Sequence, residues 1–246
     1  ACVSSQVGCS LDCKFCATAS IKRMRNLNID EIYDQVVAMD KQSRYYFDRP
    51  LSNIVFMGMG EPLMNYKHLM GSIAKITQPD GLGMSPSRIT ISTSGIPKMI
   101  KKLADENVKF GLAVSLHSAR QEVREQLMPF AEKFPLTDLA DSLKYWYEAT
   151  SSLVTYEYVV WKDINDKQED IDALVKFCMH VPCKVNLIEY NPIGDDTFKQ
   201  ADISQVEKYQ KALERVRITA TIRRSRGKDI DAACGQLANK TEGLSS

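Results

Sequence analysis

Three cysteines near the start of the sequence constrain this chain more than any other feature. They are Cys9, Cys13 and Cys16, and their spacing is C-x3-C-x2-C. Three thiolates this close together on one loop can bind one side of a metal centre. A structural zinc site uses four ligands, and a [4Fe–4S] cluster usually takes four cysteines. Either a distant residue completes the site, or one iron stays open to a further ligand.

The alternative to an iron–sulfur cluster is a zinc site with Cys2 or Cys234 as its fourth ligand. A typical zinc site shows a second cysteine pair at matching spacing, and the sequence has no such pair. The spacing therefore favours the cluster. We interpret Cys178 and Cys183 as reduced structural thiols, since Cys178 falls on the apolar face of a predicted helix.

Length and charge limit what the chain can be. Its 246 residues suit one α/β barrel or two small domains. The formal net charge is only +1, so any contact with a polyanion must come from local basic patches. No apolar run approaches the ~20 residues of a membrane span, and no secretory signal is visible. Seven cysteines, three of them clustered, indicate a reducing compartment, and we expect a cytoplasmic monomer.

Strand-like and helix-like segments alternate along the chain. β-Branched and apolar runs predict strands at 2–7, 53–57, 88–93, 110–116, 153–160, 184–188 and 218–222. Helical spacing of apolar residues predicts helices between them, including 65–77 and 137–149. Two capping boxes, Asn28 with Glu31 and Ser204 with Glu207, mark helix starts. The second of these helices should direct an apolar face inward, made of Val206, Tyr209, Leu213 and Val216.

This alternation, with no linker and no repeat, favours parallel βαβ units. About six such units precede the last strand, which leaves open whether a complete eight-fold barrel forms. In barrels of this kind, active residues lie at the C-terminal ends of the strands. The residues that follow each predicted strand are therefore the first candidates for a site.

Functional groups stand at the ends of several predicted strands. Gly60 lets a ligand approach the backbone closely, and Glu61 offers a carboxylate to an ammonium group. Each residue also has an ordinary structural explanation, such as a turn, a helix cap or a buried structural histidine. Their recurrence at successive strand ends favours a binding site, which further includes Ser92, Ser115, His117 and Asn191.

At this level of detail the sequence resembles a known family. The cysteine spacing, with Phe15 just before the last cysteine, is typical of radical S-adenosylmethionine (SAM) enzymes. Segments 2–9, 57–62, 92–95, 115–117, 186–192 and 229–237 are similar to the RlmN and Cfr family of radical-SAM adenosine methyltransferases. The resemblance covers nearly the whole chain. It implies an α/β fold, the partial (βα)6 barrel of the TIM type, with a radical-SAM core at 1–239 and a flexible tail at 240–246.

The resemblance also implies a role for each matching residue. The [4Fe–4S] cluster would be held by Cys9, Cys13 and Cys16. SAM would be bound by Gly60, Glu61, Ser92, Ser115, Leu116, His117 and Asn191, with Glu61 on its amino group. Cys234 resembles the cysteine that carries a methyl group, and Cys2 resembles its resolving partner. The Cα atoms of Cys2 and Cys234 should then lie within about 7 Å, as a disulfide requires.

The implied substrate is adenosine in large-subunit ribosomal RNA, with transfer RNA as a second substrate to test. Carbon 2 of adenine is the expected target, and the sequence leaves carbon 8 open. Both are electron-poor CH groups that cannot attack the methyl of SAM directly, so a radical route is needed. A flavodoxin-type reductase would supply the electron. The resemblance further implies that the methyl radical formed on Cys234 adds to adenine, and that Cys2 then releases the product.

The sequence departs from the family in two places. The family has a domain ahead of Cys2, whereas this sequence begins with Ala1 directly before the motifs, so we expect a fragment or processed product. Arg23 and Met24 also replace a Gly-Phe pair. Two basic runs flank the predicted site and are interpreted as phosphate contacts: Lys22, Arg23 and Arg25, and Arg223, Arg224, Arg226 and Lys228.

Two other functions remain open on the residues alone. One is a different radical-SAM reaction, such as activation of a glycyl-radical enzyme, which would not need Cys2 paired with Cys234. The other is a non-catalytic zinc or iron–sulfur module that binds RNA. An iron assay after anaerobic reconstitution separates these alternatives.

Overall fold

A computed structural model describes residues 1–21, 23–194, 197–225, 227–230 and 233–238. The predicted tail at 240–246, and Lys22 and Arg226 of the basic runs, lie outside the described residues. Two short strands, β1 (Gln6–Val7) and β2 (Arg25–Asn26), pair antiparallel on either side of the cysteine loop. They hold the two ends of that loop together.

The main sheet has six parallel strands that pair in sequence order. The central strand pairs share registers in which Ser115, Glu157 and Asn186 lie level with one another. This confirms the predicted parallel βαβ arrangement. The strands are β3 (Ile54–Phe56), β4 (Ile89–Thr93), β5 (Gly111–Ser115), β6 (Val154–Val159), β7 (Cys183–Ile188) and β8 (Thr219–Arg223).

Helices cover the sheet and supply its apolar packing. Their inward residues are fully buried, for example Ile32, Leu69, Leu143 and Leu174. In the described residues the helices are α1 (Ala17–Ser20), α2 (Ile29–Phe47), α3 (Tyr66–Thr77), α4 (Pro97–Asp105), α5 (Gln121–Leu127), α6 (Leu136–Thr150), α7 (Gln168–Cys178) and α8 (Ile203–Arg215). No helix in this part of the chain is long and apolar enough to cross a bilayer.

One predicted helix start is confirmed and the other is wrong. Asn28 Oδ1 accepts from the Glu31 N–H, and Glu31 accepts from the Asn28 N–H, each at 2.9 Å. Helix α8 instead begins at Ile203, with Asp202 at the N-cap, so Ser204 lies inside the first turn. The helix ends at Arg215, which leaves Val216 41% exposed rather than facing the core.

The predicted first strand at 2–7 is divided into two pieces. Cys2 forms an isolated parallel bridge with Val55 and so extends the edge of the main sheet. The chain then turns away from this edge, because the N–H groups of Ser5 and Gln6 both donate to the carbonyl of Met59. Gln6 begins β1, which leads into the cysteine loop. The edge of the sheet and the cysteine loop are therefore joined within a few residues.

A second, smaller apolar cluster supports the cysteine loop. Phe15 packs there beside Trp161 and His117, with ring centroids 4.9 and 4.7 Å away. Leu127 and Met128, at the end of α5, complete the contact with the loop. The Lys14 N–H also donates to the Leu127 carbonyl at 3.0 Å. This packing positions the loop over the C-terminal ends of the strands.

Candidate active site

One cavity at the C-terminal ends of the strands brings together ten of the twelve site residues predicted from the sequence. It is lined by Cys9, Cys13, Cys16, Gly60, Glu61, Ser92, Ser115, His117, Asn191 and Cys234. Leu116 is fully buried beside it. Cys2 lines an adjoining cavity, which it shares with Cys234, Arg223 and Arg224. Residues from the two ends of the sequence therefore meet at this site.

Two hydrogen bonds to backbone carbonyls connect the cysteine loop to the C-terminal segment. The Ala17 N–H donates to the Gly235 carbonyl at 2.7 Å, and Thr18 Oγ1 donates to the Leu237 carbonyl at 2.5 Å. Gly235 has φ +83°, a conformation that favours glycine. These contacts place Cys234, the residue before Gly235, at the mouth of the cavity.

The three loop thiols suit a cluster better than a single ion. Burial raises the pKa of Cys9 and Cys13, so their thiolates need a positive partner such as a metal centre. Within the described residues, no three His, Cys, Asp or Glu side chains converge tightly enough to hold one metal ion. The thiolates of a [4Fe–4S] cluster each bind a different iron and need not converge on one point. The donor set therefore fits a cluster with three protein ligands.

Glu61 is buried and firmly held. Its Oε1 accepts from Thr93 Oγ1 at 2.8 Å and from the Leu63 N–H at 3.1 Å, and its Oε2 accepts from the Ser94 N–H at 2.7 Å. Burial nevertheless raises the pKa of this carboxyl, because these hydrogen bonds offset only part of its desolvation. A cationic ligand group would stabilise the carboxylate form.

Position 60 needs a glycine, because its backbone packs too closely against Gln6 for a side chain to fit. Its φ is +93°, and an added Cβ would lie 2.5 Å from Gln6 Cβ. The Gln6 side chain also accepts from the Glu61 N–H at 3.0 Å. This packing therefore positions Glu61 at the end of β3.

His117 is held as a neutral base. Its Nδ1 accepts from the Val159 N–H at 3.2 Å, and its carbonyl accepts from Asn165 Nδ2 at 2.7 Å. Burial first, and then the charge of Arg124, lower the pKa of His117 to about 3. The ring is therefore uncharged at neutral pH and presents an edge to Phe15.

The two end thiols, Cys2 and Cys234, are both exposed to solvent at the rim. Surrounding protein nonetheless raises the pKa of Cys234 to about 12, and the neighbouring Glu157 and Cys2 add to this effect. Their exposure leaves both thiols accessible from solvent. All seven cysteines are free in this structure, so the Cys2–Cys234 disulfide and its Cα separation stay predictions.

Comparison with known proteins decides the family. A model of the Radical SAM superfamily matches residues 3–178. A "Probable dual-specificity RNA methyltransferase RlmN" of Christiangramia forsetii is 73% identical over 98% of this chain and 68% of its own length. The chain belongs to the RlmN family of the radical SAM superfamily.

Other relatives agree with this assignment. The dual-specificity RNA methyltransferase RlmN of Nautilia profundicola is 44% identical over 97% of this chain and 67% of its own length. The crystal structure of a radical SAM methyltransferase from Sphaerobacter thermophilus superposes with a TM-score of 0.94 at 38% identity, over 97% of this chain and 70% of that one. These matches confirm the predicted family and fold class. The chain spans about two thirds of the length of these RlmN relatives.

Two buried charged residues of this RlmN-family site escaped the sequence analysis. Glu157 lies on β6 and lines the cavity beside Cys234. Arg124 lies on α5 and donates to the carbonyls of Ser94, Ser115 and Leu116. The available signal for Glu157 was an acidic residue within an otherwise apolar strand. Arg124 carried no comparable signal, because charged residues are ordinary on helices.

Arg124 ties the ends of β4 and β5 together beneath the cysteine loop. It is 1% exposed, and no carboxylate in the described part of the chain forms an ion pair with it. Burial lowers its pKa to about 10, whereas the nearby Cys13 thiol raises it. A buried cation next to the loop of an RlmN-type site therefore favours thiolates there.

Proposed function

We propose that this chain is the catalytic core of an enzyme that methylates carbon 2 of adenosine in large-subunit ribosomal RNA, with transfer RNA as its second substrate. One observation carries the proposal. A single cavity is lined by the three cysteines of the metal loop and by Cys234. Cys234 also lines the adjoining cavity that contains Cys2. Membership of the RlmN family, whose relatives are named dual-specificity RNA methyltransferases, supports the substrate class.

The cofactor side of the cavity, defined as Cys9, Cys13, Cys16 and Glu61, would hold the cluster and SAM. When bound there, a [4Fe–4S] cluster would supply the electron needed for reductive cleavage of SAM. Glu61 would accept hydrogen bonds from the SAM ammonium group. The remaining contacts to SAM are assigned to Gly60, Ser92, Ser115, Leu116, His117 and Asn191.

The thiol side is defined as Cys234 and Glu157, which line this cavity, with Cys2 and Arg223, which line the adjoining one. This side would carry out group transfer. Cys234 takes a methyl group from one SAM molecule and later delivers that carbon to the adenine ring. Cys2 attacks the Cys234 sulfur, which releases methyladenosine and leaves a disulfide. Both thiols are exposed, so an RNA base swung out of its stack can reach them.

The basic runs divide between structural and RNA-binding roles. Arg25 forms a bidentate pair with Glu31 at the start of α2, at 2.7 and 2.8 Å, so it serves the loop rather than phosphate. Arg224 lines the adjoining cavity that contains Cys2, and it is the better candidate for a phosphate contact. We propose that a flavodoxin-type reductase supplies the electron for the reaction.

Nucleoside mass spectrometry tests the proposal. Reconstituted enzyme, SAM and a reducing system should convert adenosine of ribosomal RNA to 2-methyladenosine, and transfer RNA should react as well. Methylation at carbon 8 would correct the position. Cleavage of SAM with no methylated RNA would instead favour a different radical-SAM reaction.

A further inference from the structure

Glu157 is a buried carboxylate, and one of its two oxygens has no hydrogen-bond partner in the described residues. It is 3% exposed, and its Oε1 accepts from Asn186 Nδ2 at 2.8 Å. Arg223 Nη1 lies 3.6 Å from the same oxygen. In the described part of the chain, Oε2 is buried and has no hydrogen-bond partner. The side chain is therefore anchored through one oxygen only.

An unpartnered buried oxygen costs stability, because it has lost its hydrogen bonds to water without gaining others. All six residues of β6 are buried, and an apolar residue at 157 would avoid this cost. Glu157 lines the same cavity as Cys234, and it is the largest electrostatic influence on that thiol after burial. The oxygen without a partner thus belongs to the charged side chain that most affects Cys234, the proposed methyl carrier.

We propose that Glu157 is the proton acceptor that converts Cys234 to a thiolate for methylation by SAM. This inference rests on the carrier role proposed above for Cys234. Because Oε2 has no hydrogen-bond partner in the described residues, the step begins with rotation of the exposed Cys234 side chain towards Glu157. The S–H bond then breaks and an O–H bond forms at Oε2. A sulfur lone pair then forms the S–CH3 bond. The bond between the methyl group and the SAM sulfur breaks, and its electron pair stays on S-adenosylhomocysteine.

The surroundings fit this proton transfer. Cys234 has a raised pKa, so little of it is thiolate at neutral pH unless a base assists. Burial also raises the pKa of Glu157, which makes its carboxylate a better base. The charged groups facing the pair are Arg223 and Lys184, which lower the pKa of Glu157, and the thiols of Cys2 and Cys16, which raise that of Cys234.

The test compares two reactions of the same thiol. The reconstituted enzyme is incubated with SAM, without RNA or reductant, and the methylated Cys234 peptide is quantified by mass spectrometry. In parallel, Cys234 is alkylated with iodoacetamide. Glu157→Gln should slow methylation about 100-fold or more, as loss of a general base does. The same variant should also slow alkylation at neutral pH, because both reactions use the thiolate that Glu157 produces, and the loss should shrink as the pH rises towards the pKa of the thiol itself.

The pH dependence of the loss separates a base from a structural residue. A residue that only shapes the cavity would slow methylation by a factor that does not change with pH. Asp170→Asn is the matched control, since it neutralises another carboxyl that is 1% exposed, on α7 and outside this cavity. It should leave both rates within about threefold of wild type, well below the effect of a general base.

The pH dependence of the two rates provides a second arm. In wild type both rates should level off once Glu157 is ionised, whereas in Glu157→Gln both should keep rising towards the pH at which the thiol ionises unaided. Coincident pH profiles of wild type and variant, or methylation of Glu157→Gln at the wild-type rate, would overturn the role of Glu157. A wild-type Cys234 that never gains a methyl group would refute the carrier role instead, which is a separate outcome.

Discussion

The cofactor side and the thiol side of the cavity differ in how fully the protein satisfies their polar atoms. On the cofactor side, both oxygens of Glu61 accept hydrogen bonds, from three donors in total. On the thiol side, Glu157 Oε2 is buried without a partner in the described residues. A polar group whose hydrogen bonds are all made is held in a fixed geometry. A buried polar group without partners lowers stability, so its presence calls for another explanation. The difference indicates that one side binds and the other side reacts.

The largest effect is expected from Cys234→Ala. This change removes the proposed methyl carrier and should abolish RNA methylation, as measured by nucleoside mass spectrometry. Iron content and SAM affinity should be unchanged, because the cofactor side is intact. Cys183→Ala, which removes a half-buried thiol away from the cavity, is the control and should stay active. Normal turnover by Cys234→Ala would contradict the methyl-carrier role of Cys234 and, with it, the assignment of group transfer to the thiol side.

Cys2→Ala should stop the reaction one step later. Without the resolving thiol, the link between Cys234 and the RNA base cannot be broken, so protein accumulates on RNA after a single addition. Denaturing gels with labelled RNA would show a band of higher mass that the Cys234→Ala variant lacks. Complete turnover by Cys2→Ala with no adduct would contradict the resolving role of Cys2.

Glu61→Gln probes the cofactor side and should weaken SAM binding by about 2 kcal/mol, or roughly 30-fold. The reason is that a charge-assisted hydrogen bond to the SAM ammonium becomes a neutral one. Equilibrium dialysis with reconstituted protein measures this change. Glu122→Gln, on the exposed surface of α5, is the control. An unchanged dissociation constant for Glu61→Gln would mean that Glu61 only shapes the turn.

The smallest effect concerns His117 and pH. Its pKa is about 3 in the folded protein, below the ordinary value of 6.5, so between these values the unfolded chain binds the proton more strongly. The stability due to neutral His117 is therefore complete above pH 6.5 and is lost as the pH falls towards 3.

The stability difference between wild type and His117→Gln should accordingly shrink by about 1 kcal/mol from pH 7.5 to pH 5.5. Anaerobic urea denaturation at the two pH values measures it. A difference that does not change with pH would show that His117 titrates normally and is open to solvent.

The sequence predicted the strand ends well because their chemistry is local. Gly60, Glu61 and His117 follow runs whose apolar pattern marks a strand, and the parallel sheet brings such ends to one edge. Glu157 could not be found this way. It lies inside β6, a strand buried on both faces, where alternation gives no indication of which side chains point into the barrel.

Two other errors have equally physical causes. Asp202 and Ser204 are both acceptable helix starts, so local capping preferences could not choose between them. The first strand divides because the Met59 carbonyl accepts from the N–H groups of Ser5 and Gln6, a contact made about 55 residues away in sequence. Neither choice is encoded in the neighbouring residues alone.

Tracing a labelled methyl group tests the central claim most directly. The reconstituted enzyme is first loaded with SAM carrying a deuterated methyl group, then separated from it and given RNA, unlabelled SAM and reductant. The account predicts that the label appears first on the Cys234 peptide and then in 2-methyladenosine. Labelled protein that yields only unlabelled methyladenosine would contradict it, because the methyl group would then reach RNA without passing through Cys234.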